Sequence, residues 1–116
     1  MSDAALPDEL QAKLAKLREA FADSLNERLG VLDAAIAEIT ANPPADQQLS
    51  SLQDLRNAAH KLAGTSGTFG YPDLGNAAFQ LEEICDGLLA AAVEIGVDDQ
   101  AKLSGMVAKC HESAQV

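Results

Sequence analysis

The sequence predicts an all-α protein, an up-and-down antiparallel four-helix bundle with an additional or extended N-terminal helix. Three observations point there. Alanine and leucine supply 22 and 16 of the 116 residues, against 12 for valine, isoleucine and threonine together. Ala and Leu lose little side-chain freedom in a helix, and the β-branched residues that suit strands are scarce. Apolar positions recur every three or four residues, the spacing of one helix face. Finally, the segments so marked are joined by short links carrying proline or glycine, which make consecutive amphipathic helices antiparallel neighbours. The length suits one domain over residues 1–116, its core spanning about residues 21–114 and residues 1–20 forming an N-terminal helix.

The first stripe runs Leu6, Leu10, Leu14, Leu17, Phe21, Leu25, Leu29, Leu32, Ile36 and Ile39, as one long helix or two abutting ones. Pro7 suits a first helical turn, and Asp8 and Glu9 complement the partial positive charge there. A separate N-terminal helix would act as a lid. Asn42-Pro43-Pro44-Ala45-Asp46 ends the segment, because proline lacks an amide proton and disfavours helix in the residue before it. The second stripe is Leu49, Leu52, Leu55, Ala59, Leu62, Ser66 and Phe69. Its helix is expected to begin between Asp46 and Ser51, where Asp46, Ser50 and Ser51 offer capping oxygens, and to stop at Gly70. Pro72 and Asp73 open a third helix with Leu74, Ala78, Leu81, Cys85, Leu88 and Ala92, ending near Gly96. Asp98 can cap a fourth, with Leu103, Met106, Val107 and Cys110 inward.

Charge and composition narrow the function. A net charge of −10 repels phosphate backbones and anionic lipid, so neither nucleic acid nor membrane is an expected partner. Three Phe, one Tyr and no Trp leave little for bases to stack on. The longest apolar run, Leu88 to Val93, is far short of a bilayer span, and the first residues, Met-Ser-Asp-Ala-Ala, carry no export signal. The expected location is the cytoplasm, and the protein is expected to be a monomer. Cys85 and Cys110 read as small core residues on apolar stripes. With His60 and His111 they are a weak metal set: only Cys110 and His111 are close in sequence, and adjacent helical residues diverge by about 100°. No metal site is assigned.

Departures from good helix design collect between Arg56 and Gly70. If Leu52, Leu55, Ala59 and Leu62 face inward, His60 lies one residue off that stripe, toward solvent, with Gly64 a turn further on and Gly67 beside it. Each glycine inside a helix costs roughly 0.5–1 kcal/mol relative to alanine. Such glycines either clear the way for another surface to approach the imidazole or let a neighbouring helix pack tightly. From Leu29 to Ala101 the chain has eleven acidic residues and two basic ones, Arg56 and Lys61, which bracket His60. They make a small cationic spot able to tolerate a phosphoryl group, or they pair with Asp54 or Glu82 on the surface. A free imidazole titrates at about 6.5, so near neutrality it is a nucleophile able to take a phosphoryl group and return it. No phosphate-cradling GxxxxGK[ST] loop is present, so a docking protein must supply the remaining machinery.

The stretch Ala59-His60-Lys61-Leu62-Ala63-Gly64-Thr65-Ser66-Gly67-Thr68-Phe69-Gly70, followed by Leu74 and Leu81-Glu82, resembles the histidine-containing phosphotransfer (HPt) domain over roughly residues 21–92. The resemblance implies a four-helix bundle whose exposed histidine accepts a phosphoryl group from a receiver-domain aspartate and passes it to another receiver. The partners it implies are the receiver domains of a hybrid histidine kinase and of a response regulator. His60 is then the phosphoacceptor through Nε2, and Gly64 the clearance residue. Glu82 falls where the family often has Glu or Gln near the histidine. Arg56, Asn57, Lys61 and Gly67 complete the supporting, partner-facing set. Many members carry a lysine three residues after the histidine, where this chain has Ala63; Lys61 is expected to assist less directly. The protein is expected to be a carrier, not an enzyme, without cofactor of its own, Mg2+ residing in the partner receiver. The alternative reading is a phosphate-independent adaptor that docks a receiver or kinase.

Overall fold

A computed structural model describes residues 7–91 and 94–115. They form four helices: α1 (Asp8–Thr40), α2 (Ala45–Ser66), α3 (Pro72–Ala91) and α4 (Val97–Ala114). Each packs on its neighbours in sequence, and α4 closes the ring against α1. The buried residues follow the apolar stripes: Leu32, Ile39, Leu52, Leu55, Ala59, Leu74, Ala78, Leu81, Cys85, Leu103 and Cys110 are all sealed from solvent. Each buried leucine contributes roughly 1.5–3 kcal/mol of transfer free energy.

The N-terminal region is one continuous helix of 33 residues, not two, and no separate lid exists among the described residues. Its burial begins at Phe21, whose ring lies 5.3 Å from that of Phe69 and 5.7 Å from that of Tyr71. Upstream of this aromatic contact the helix runs past the bundle. Leu10 and Leu17, expected on the buried stripe, are exposed because nothing packs against them there, and Leu14 is only partly covered. Leu6 lies outside the described residues, as do Ala92 and Val93.

Several boundaries differ from expectation. Pro7 sits just before α1, not in its first turn; α2 begins at Ala45, directly after Pro44 and one residue ahead of the expected window, and neither helix start has a side-chain cap. Asp46, Ser50 and Ser51 are within α2. Gln48 is buried in place of Leu49, which is 40% exposed; the Gln48 amide donates to the Ile39 carbonyl at 3.2 Å and ties the start of α2 to the end of α1. α1 closes through Asn42, whose φ of 54° is a left-handed conformation that Asn tolerates. α2 stops at Ser66, and the chain reverses over residues 67–70. There the Tyr71 amide donates to the Ser66 carbonyl at 2.8 Å and Gly70 adopts φ 95°, so Gly70 makes the turn and does not end the helix. Gly96 precedes α4 in extended conformation instead of closing α3; Asp98 lies inside α4, and the Asp99 carboxylate accepts from the Gly96 amide at 3.4 Å.

Candidate functional site

His60 stands on the outer side of α2 with its side chain 62% exposed. Its neighbours in sequence dictate this: Ala59 is fully buried and Leu62 nearly so, which turns the two residues between them, His60 and Lys61, outward. Across from it on α3, the stripe residues Leu81 and Cys85 are sealed in the core, and Glu82, beside Leu81, is only 8% exposed. Glu82 Oε2 lies 2.8 Å from His60 Nδ1. The same oxygen lies 3.2 Å from Arg56 Nη2. A carboxylate can only accept, so this geometry places the ring hydrogen on Nδ1 and leaves the Nε2 lone pair available.

Arg56, one helical turn before His60, is therefore not a free cation awaiting phosphate. Besides Glu82 it holds Asp86, its Nε donating to Oδ1 at 2.9 Å. The hydrogen bond to Asp86 is the foremost cause holding the Arg56 guanidinium above its ordinary pKa. Asp86 did not stand out in the sequence, although a signal existed: Glu82 and Asp86 are four apart on α3, as Arg56 and His60 are on α2, so two antiparallel helices can match them pairwise. Of the expected alternatives, Arg56 pairs with Glu82 and not with Asp54.

Lys61 is exposed and, among the described residues, has no ion-pair partner. With Arg28, Val31, Glu38, Asp54, Asn57 and Leu62 it lines a cavity of about 540 Å³ between α1 and α2. Asn57 is exposed and accepts from the Gln53 amide at 3.3 Å. Gly64 and Gly67 face open space: a Cβ at either would meet nothing within 4 Å. The helix–helix contact that uses a glycine is instead at Gly75 on α3, where a Cβ would lie 3.4 Å from the Gly67 amide nitrogen and 3.6 Å from Ser66 Cβ. Phe79, one turn before Glu82 on α3, is 53% exposed, unusual for a phenylalanine in so apolar a helix.

The remaining candidates are dispersed. His111 Nε2 pairs with Asp33 Oδ1 at 2.7 Å, linking α4 to α1. Cys85 and Cys110 are buried free thiols, and among the described residues no three His, Cys, Asp or Glu side chains gather as a metal site. No helix among them is long and apolar enough to cross a membrane.

Fold and geometry define a class of protein: an all-helical bundle that offers a solvent-facing imidazole, oriented from behind by a carboxylate of the adjacent helix. The family model of the Hpt domain matches residues 16–112, and the chain belongs to that family. Its role is thus one related to phosphotransfer in two-component signalling, where Hpt domains serve as phosphocarrier modules that interact with receiver domains and histidine kinases. No match is found among curated proteins or solved structures.

Proposed function

We propose that the protein is a histidine phosphotransfer protein of a multistep phosphorelay, taking a phosphoryl group from a receiver aspartate onto His60 and giving it to the aspartate of another receiver. The observation that carries this reading is the exposed ring with Nδ1 held by Glu82 at 2.8 Å. In the forward step the Nε2 lone pair attacks phosphorus, the P–O bond of the aspartyl phosphate breaks, and the aspartate carboxylate leaves with that electron pair. The Nδ1 hydrogen stays in place, so the ring gains positive charge, and the Glu82 carboxylate faces it. The return step reverses each of these changes. The chain contributes a nucleophile and its orientation, and in this reading it is a carrier that relies on its partner for the phosphate cradle and for Mg2+. The open backbone at Gly64, one helical turn past His60, leaves space beside the ring for the partner to seat.

Incubation with a phosphorylated receiver will label the protein with acid-labile, alkali-stable phosphate, and His60→Gln will abolish the label. Equal labelling of that variant would refute the assignment. Undiminished receiver binding by His60→Ala, with no label ever acquired by the wild type, would identify a phosphate-independent adaptor.

A further inference from the structure

We infer that Arg56 is a positioning residue which acts through Glu82 to hold His60 in its reactive tautomer, with Asp86 fixing Arg56 in turn. This deepens the relay reading and rests on it. The four side chains form one line across the α2–α3 contact: Asp86 Oδ1 to Arg56 Nε at 2.9 Å, Arg56 Nη2 to Glu82 Oε2 at 3.2 Å, and Glu82 Oε2 to His60 Nδ1 at 2.8 Å.

Accessibility explains why the cation is needed. The Glu82 side chain is 11% exposed, so most of the water that would solvate a carboxylate is excluded. A carboxylate in such a place requires a countercharge or must turn out to reach solvent. Arg56 is the fixed charge on α2 that meets it, and it meets the very oxygen that faces the imidazole. Remove the guanidinium and Glu82 swings outward, the ring loses its acceptor, and the hydrogen distributes over both nitrogens. Every ring carrying it on Nε2 has no lone pair there to offer phosphorus. Asp86, half exposed, occupies Nε and thereby turns the Nη2 edge of the guanidinium toward Glu82. Arginine suits the post because its planar fork serves two carboxylates at once, which a lysine ammonium does with less directional control.

The role differs from direct phosphate binding, and the difference is measurable. Nitrogen-15 spectra of the His60 ring will show the Nδ1–H tautomer in the wild type, a mixture in Arg56→Gln, and partial recovery in Arg56→Lys. Phosphorylation by phosphoramidate, which needs no receiver, will slow roughly tenfold in Arg56→Gln, the lower range for loss of an outer orienting partner. In a Glu82→Gln background, Arg56→Gln will add nothing further, since coupled residues are non-additive. The phosphohistidine, once formed, will not lose its phosphate faster than in the wild type. An unaltered ring spectrum with faster loss of phosphate would place Arg56 on the phosphoryl group and overturn the inference, as would an unaltered spectrum and rate. Asp86→Asn, at an exposed position that leaves the core intact, provides a second variant and will shift the ring spectrum in the same direction by less. Failure of the wild type to be labelled by any receiver would refute the relay reading while leaving the ring spectra to decide the role of Arg56.

Discussion

His60, Glu82 and Gly64 show how far single residues can be read. An outward histidine was legible from its offset against Leu55, Ala59 and Leu62, since helical spacing alone sets which side a residue faces. The carboxylate that holds the histidine, Glu82, came from the family resemblance and lies 2.8 Å from Nδ1; what holds Arg56 was not anticipated, because Asp86 is 30 residues away on the adjacent helix. The two cations therefore looked alike in sequence, whereas in the fold Arg56 is committed to carboxylates and Lys61 stands free of them among the described residues. The glycines sorted in the same way: Gly64 and Gly67 are open, and Gly75 carries the helix contact. At Gly64 this separates stability from transfer. Gly64→Gln fills empty space and replaces a poor helix former, so denaturant unfolding will show a gain of about 0.5 kcal/mol. The same side chain one turn from the imidazole will slow phosphotransfer from a receiver severalfold. Equal transfer rates would mean the space is not used for docking.

Among the helices, existence and order were legible and their ends were not. Proline marked the starts of α1 and α3 to within a residue, although Pro7 occupies the position before α1 and not its first turn, while α2 begins at Ala45, one residue ahead of the expected window. The stripe in α1 correctly signalled a helix through Leu10, Leu14 and Leu17, yet a stripe does not say what covers it, and the cover stops at Phe21. The polar Gln48 was missed because its burial depends on one carbonyl at the end of α1. The uncovered part of α1 has a simple consequence for stability. Of the described residues before Ala15, all but the partly covered Leu14 are exposed and none belongs to the core, so a chain beginning at Ala15 will keep an unfolding free energy within about 0.5 kcal/mol of the full chain, with an unchanged denaturant slope. A larger loss would show that the upstream segment is covered in solution.

At the scale of the whole molecule, the radius of gyration is 16.3 Å, above the roughly 13 Å usual for a compact chain of this length. The extents of 53 × 22 × 21 Å give a rod whose long dimension is that of α1. Inside it, burial pushes the Cys85 thiol up to about 12 and the Cys110 thiol up to about 11, from the usual 9.0. The folded state thus keeps these protons where the unfolded chain releases them. Their contribution to stability is complete below pH 9 and is lost as pH rises through about 11 and 12. Unfolding midpoints will fall between pH 9 and 11, less steeply once both cysteines are alanine, and a thiol reagent at pH 8 will label the chain only as fast as it opens globally. Rapid labelling of the native protein would contradict their burial. In the relay proposed above, the side-on placement of His60 would also govern traffic. The ring lies on a flank of a rod only about 22 Å across, so whichever protein is seated there hides it from the next. Loading and unloading become successive turns at a single berth, and an excess of empty acceptor must delay the donor as surely as it hastens delivery.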